Sequence, residues 1–133
     1  MIRLLILIFL TLFPAAPRAC AQTATDSVAI RQTALDYIKG WYTGDADQIA
    51  GAVHVELVKR IVAAHPRTGK QVFRDQDSTA LVAATKKGYG TKIPDKKRQK
   101  EVTILDVFEG AASVKIVAAD WVDYLHLVKQ DGD

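Results

Sequence analysis

The sequence predicts an α+β domain in which a layer of three helices packs on a curved antiparallel sheet. Three observations predict it. Ile30, Ala34, Leu35, Ile38, Trp41 and Tyr42 recur at helical spacing near the front of the chain. Between Val102 and Ile116 the apolar period switches to two, the signature of half-buried strands. Large apolar and ionisable side chains then alternate along Trp121-Val122-Asp123-Tyr124-Leu125-His126-Leu127-Val128-Lys129, as on a strand with two different faces.

The chain opens on a segment that does not read as part of the folded body. Arg3 provides a positive n-region, Leu4 to Phe13 an apolar h-region ended by Pro14, and Ala19-Cys20-Ala21 a small-x-small cleavage site before Gln22. A run of about ten apolar residues is too short to cross a bilayer, which takes ~20. Residues 1–21 are therefore expected to be a secretory signal, and residues 22–133 one exported, periplasmic or secreted domain. Processing as a lipoprotein at Cys20 is disfavoured, because Pro17-Arg18-Ala19 departs from the Leu-led approach to a lipidated cysteine.

Gln22 to Thr25 is small and polar and reads as a loose lead-in, with Asp26 or Ser27 capping the first helix and Gly44 ending it. Asp45 with Gln48 three residues later resembles a capping box for a second helix through Ile49, Ala52 and Val53. Leu57 to Ala64 and Gln71 to Arg74 flank the turn His65-Pro66-Arg67-Thr68-Gly69-Lys70 and form a hairpin. Asp77 or Ser78 caps a third helix through Leu81, Val82 and Thr85, stopped by Gly88 and Gly90. Lys86 to Lys100 holds seven Lys or Arg against one Asp and reads as a solvated loop in preference to an anion-binding arm. From Glu101 an antiparallel meander follows, with Val102, Ile104 and Phe108 on one side, a Glu109-Gly110 turn, then Val114 and Ile116, then the last strand.

Composition narrows the function classes. Cys20 is the only cysteine and leaves with the signal, so the product has no disulfide, thiolate nucleophile or Cys-ligated metal. Loss of Arg3 and Arg18 lowers the formal charge from +3 to +1, which makes no case for nucleic acid. His54, His65 and His126 lack metal-ligand spacing, and no phosphate loop or nucleophile elbow is present. No metal or cofactor is expected, and after signal cleavage no membrane partner.

Tyr37 and Trp41 lie one turn apart on one helix face, where an indole and a phenol can stack on a flat ligand and hydrogen-bond its edge. The competing role is to plug the end of the core, and for Tyr42 that role is preferred. On the last strand Tyr124, His126 and Val128 point to one side, and Asp123, Leu125 and Leu127 to the other. Asp123 and His126 therefore form no acid–base dyad unless a β-bulge intervenes. Which side is concave does not follow from the pattern. His54 ends the second helix, where an imidazolium suits the carbonyl-rich terminus.

Residues 34–46, His54, Leu57-Val58-Lys59-Arg60, Thr103-Ile104-Leu105-Asp106-Val107, Ala111-Ala112-Ser113-Val114-Lys115 and Asp123 to Lys129 together resemble the putative lumazine-binding family of the nuclear-transport-factor-2-like superfamily. The resemblance implies a cone-shaped, cystatin-like fold enclosing a pocket. That fold also hosts isomerases, dehydratases and dimerisation modules, so it does not choose a function. Two departures stand out. Val55 replaces the proline that relatives carry after the histidine, and the chain stops at Asp131-Gly132-Asp133 where relatives continue into a Trp-Lys-Ile-like final strand. On this resemblance the last strand is expected to be missing and the domain C-terminally truncated.

The leading expectation is a small-molecule-binding domain rather than an enzyme. Its pocket is lined by Tyr37, Ile38, Trp41, Phe108, Ile116, Tyr124 and His126 and takes a small planar ligand. The enzymatic alternative is an isomerase or dehydratase with His126 or Asp123 as general base and Tyr37 or Tyr124 polarising a carbonyl. A third class is an interaction module that forms a homodimer through its sheet face.

Overall fold

A computed structural model describes the backbone of residues 18–130 and the side chains of residues 25–130. Residues 1–17, which carry most of the expected signal, lie outside the described residues. The fold is α+β, with helices α1 (Arg18–Thr43), α2 (Ala46–Ala52) and α3 (Ser78–Lys86) and strands β1 (Lys59–Ala64), β2 (Gln71–Gln76), β3 (Glu101–Phe108), β4 (Ala111–Val117) and β5 (Val122–Val128). The strands form two antiparallel sheets, a β1-β2 hairpin and a β3-β4-β5 meander. This matches the expected layer of helices on a sheet.

α1 differs from expectation at its start. It is helical from Arg18, so Gln22 to Thr25 belong to the helix instead of forming a loose lead-in, and neither Asp26 nor Ser27 caps it. Asp26 instead accepts from Lys129 Nζ at 3.0 Å and ties the helix to the far end of β5. Arg31 Nη1 donates to the Val102 carbonyl at 2.7 Å and fixes the helix over β3. The other end is as expected, because Gly44 at φ +76 turns the chain in the left-handed conformation that only glycine adopts freely.

Asp45 caps α2 by accepting from the Asp47 and Gln48 amides. Only half of the expected capping box forms. The Gln48 side chain reaches Asp36 Oδ1 on α1 at 2.9 Å instead of returning to the cap, because the antiparallel helix pair puts that acceptor within reach. Gly40 permits the pairing, since a Cβ there would sit 3.0 Å from Ile49 Cγ1. Asp77 caps α3 through the Ala80 amide. The β1-β2 and β3-β4-β5 registers are regular except for one shift in β3 between Ile104 and Asp106.

That shift corrects the reading of β3. Leu105 is the extra residue of a β-bulge, and it moves every later side chain of the strand to the opposite face. Val107 rather than Phe108 then continues the inward file, and Phe108 is 71% exposed. The core lies between α1 and the inner face of the meander, where Ala34, Tyr37, Ile38, Tyr42, Ile49, Leu81, Val102, Val114 and Ile116 are buried. No described helix is long and apolar enough to cross a membrane.

Candidate functional site

The inward face of β5 is the one that carries Asp123, Leu125 and Leu127, while Tyr124, His126 and Val128 face outward. The strand is regular, so Asp123 and His126 point to opposite sides and form no dyad. Asp123 heads an apolar file, beside Ile116 on β4. Lys59 does the same on β1, where it shares a face with Ile61 and Ala63. Two opposite charges, each at the head of a half-buried apolar file, lie close enough to pair.

They pair with Nζ of Lys59 2.8 Å from Oδ2 of Asp123, their side chains 20% and 15% exposed. Tyr37, buried on α1, donates its hydroxyl proton to the same Oδ2 at 2.8 Å and accepts from Lys59 Nζ at 2.5 Å. Trp121 Nε1 donates to Oδ2 at 3.2 Å. One carboxylate oxygen thus gathers a phenol, an ammonium and an indole from α1, β1 and the approach to β5. The Lys59 ammonium also lies 5.2 Å from the centroid of the Tyr37 ring. Burial, reinforced by the Asp123 charge and the hydrogen bond to it, pushes the Tyr37 phenol far above its ordinary value, so this group stays protonated.

The arrangement leaves hydrogen-bonding capacity. Among the described residues Asp123 Oδ1 accepts no hydrogen bond, and one of the three Lys59 N–H groups has no acceptor. A carboxylate oxygen beside an ammonium proton is the complement of an N–H beside a C=O.

The expected site residues divide between two faces. Tyr37, Ile38 and Ile116 lie in the core between helix and sheet, the last two fully buried. Phe108, Tyr124 and His126 do not join them. The bulge turns Phe108 outward, and alternation along β5 does the same for Tyr124, which is 66% exposed, and for His126. His126 Nδ1 lies 3.2 Å from Ser113 Oγ on the exposed face of β4.

Trp41 is half-buried against the core, and its Nε1 is buried without a hydrogen-bond partner. The indole that reaches the polar cluster is Trp121, which also tilts against Tyr42 with centroids 6.1 Å apart. His54 does not cap α2 either. It is exposed beyond the Val53 C-cap, and its Nδ1 accepts the Glu56 amide at 3.2 Å in a local turn.

Sequence reasoning missed Lys59 and Trp121. The signal for Lys59 was present, since a lysine in phase with Ile61 needs a buried counter-charge and Asp123 in phase with Leu125 needs the same. Trp121 sits outside β5, so alternation does not assign its direction. Two hollows open elsewhere. One of about 380 Å³ lies against Arg60, Phe73 and Asp75 on the hairpin, and one of about 490 Å³ lies between α2 and α3 against Val53, Val55, Ser78, Val82 and Lys86. Among the described residues no group of three or more His, Cys, Asp or Glu converges as a metal centre would require.

No curated protein and no solved structure matches the chain. One family model, described as putative lumazine-binding, matches residues 25–133, and the nuclear-transport-factor-2-like architecture expected from the sequence is consistent with it. On a match that runs from the first helix past the last strand, the chain belongs to the putative lumazine-binding family.

Proposed function

We propose that the domain binds a small planar heterocycle at the Tyr37–Lys59–Asp123–Trp121 cluster, entering between β1 and β5. The observation that carries this is the unused pair of hydrogen-bonding positions on Asp123 Oδ1 and the Lys59 ammonium. A lactam or imide edge offers an N–H to the carboxylate and a C=O to the ammonium, and both bonds would be charge-assisted. Lumazine, the ligand in the family description, is a fused bicyclic dione with such an edge. The Tyr37 ring and the Trp121 indole, both bonded to Asp123, supply apolar contact for the heterocycle. The role is recognition, without chemistry on the ligand.

The test uses the two tryptophans. Trp41→Phe leaves Trp121 as sole reporter, and titration with lumazine should quench it. Asp123→Asn replaces the anionic acceptor and should weaken binding roughly ten- to a hundredfold, the range for a hydrogen bond to a charged group. Equal affinity in Asp123→Asn, with the fold intact by circular dichroism, would place the ligand elsewhere.

A second reading concerns assembly. Phe108, Val122, Tyr124 and Val128 are 45–76% exposed on the outward face of the meander, more apolar surface than a strand normally gives to water. We infer that this face pairs with a second copy, which leaves the inward cluster free. Export with loss of residues 1–21 is the third part of the proposal, and it rests on the n-region, h-region and cleavage pattern of the sequence.

A further inference from the structure

Charge is distributed unevenly along the chain. Residues 86–100 carry seven Lys or Arg and one Asp, while the rest of the sequence carries eleven Lys or Arg against fourteen Asp or Glu. A solvated loop with excess charge needs no explanation if it is slack, but this segment is held in place. A Cβ on Gly90 would lie 2.1 Å from the Trp41 carbonyl oxygen, so the chain passes directly against the end of α1 at a point only glycine allows. Tyr42 donates its hydroxyl proton to the Gln99 carbonyl at 2.9 Å. Arg98 folds back on its own segment, donating to the carbonyls of Ile93 and Thr91 at 2.8 and 2.9 Å.

Arg98 also consumes the one acid. Its Nη1 lies 2.6 Å from Asp95 Oδ1. Lys86, Lys87, Lys92, Lys96, Lys97 and Lys100 are exposed, and none has an acidic partner among the described residues. Tyr89 stands among them 51% exposed, with Lys92 Nζ 5.2 Å from its ring centroid.

We propose that residues 86–100 form a docking surface for an anionic lipid bilayer, which the domain touches peripherally through these six lysines with Tyr89 at headgroup depth. The chemistry favours a bilayer over a nucleic acid. Lysines are point charges suited to a diffuse anionic surface, and the one arginine, whose planar fork would suit a phosphodiester, is occupied internally. A single exposed aromatic cannot stack successive bases, whereas tyrosine beside lysine is the composition of a membrane interface.

The experiment is co-sedimentation of the full chain with vesicles of phosphatidylcholine alone and of equimolar phosphatidylcholine and phosphatidylglycerol, at low and high salt. The apolar stretch Leu4 to Phe13 contributes to both vesicle types, so the difference between them reads the lysines. Anionic vesicles should retain more protein, and the excess should vanish at high salt. Lys96→Gln with Lys97→Gln should lower anionic partitioning by about fivefold for each lysine removed, corresponding to ~1 kcal/mol each. Tyr89→Ser should lower it further. Equal retention on both vesicle types, no effect of the lysine substitutions, or tighter binding to single-stranded DNA at matched phosphate concentration would overturn the proposal.

Discussion

At the scale of single residues, the Asp123 carboxylate organises the interior by accepting from Tyr37, Lys59 and Trp121 on one oxygen. Removing one member strands the others, and a half-buried charge without its partner is costly. Tyr37 has a further consequence for pH. Its phenol is held well above its ordinary value by burial first and by Asp123 second. The folded state therefore binds this proton more tightly than the unfolded state. The resulting stability is fully present below the unfolded tyrosine value of about 10 and is lost as pH rises beyond it. Urea unfolding followed across alkaline pH should show a falling midpoint above about pH 10. The fall should be shallower in Tyr37→Phe, and an identical alkaline slope in that variant would show that other groups set it.

At the scale of elements, most boundaries follow from short-range chemistry. Asp45 and Asp77 sit where their carboxylates meet free helix amides, and Gly44 where the chain needs a positive φ. Asp45→Ala should cost about 1 kcal/mol in chemical denaturation, since α2 loses its only side-chain cap. A loss below ~0.3 kcal/mol would mean that the Gln48–Asp36 bond and the packing of Ile49 hold α2 without the cap. The bulge at Leu105 belongs to this scale too. Nothing in Thr103-Ile104-Leu105-Asp106-Val107 marks one residue as extra, because a bulge answers to the partner strand and not to its own sequence.

At the scale of the molecule, the two sheet faces carry different tasks. The inward face buries Val102, Val114 and Ile116 under α1, and the outward face exposes Phe108, Tyr124 and Val128. If that outward face pairs with a second copy, Tyr124→Lys should shift sedimentation velocity toward monomer while heterocycle binding at the inward cluster is unchanged. A wild-type protein that sediments as a monomer at every concentration would remove the dimer reading. Export belongs here as well. Mass spectrometry of the extracytoplasmic fraction should give a chain beginning at Gln22, and recovery of an uncleaved or Cys20-lipidated chain would contradict it.

The sequence by itself determined the order of the main helices and strands, the helix cap at Asp45, a cap at Asp77 or Ser78, the meander, the split of β5 into two faces and the family. Each of these is written in neighbouring residues, through 3.6- and two-residue periods, cap side chains and turn glycines. It did not determine which face of β5 looks inward, because Asp123-Leu125-Leu127 and Tyr124-His126-Val128 each mix apolar and polar groups. Only packing under α1 decided that, by putting a lysine and a tyrosine from far earlier in the chain where Asp123 could be neutralised. The same contact left Tyr124 and His126 outside and brought in Lys59 and Trp121, while the bulge at Leu105 turned Phe108 outward. A buried charge has no local signature, since what makes it tolerable is a partner 64 residues away in sequence, at a distance only the tertiary fold sets.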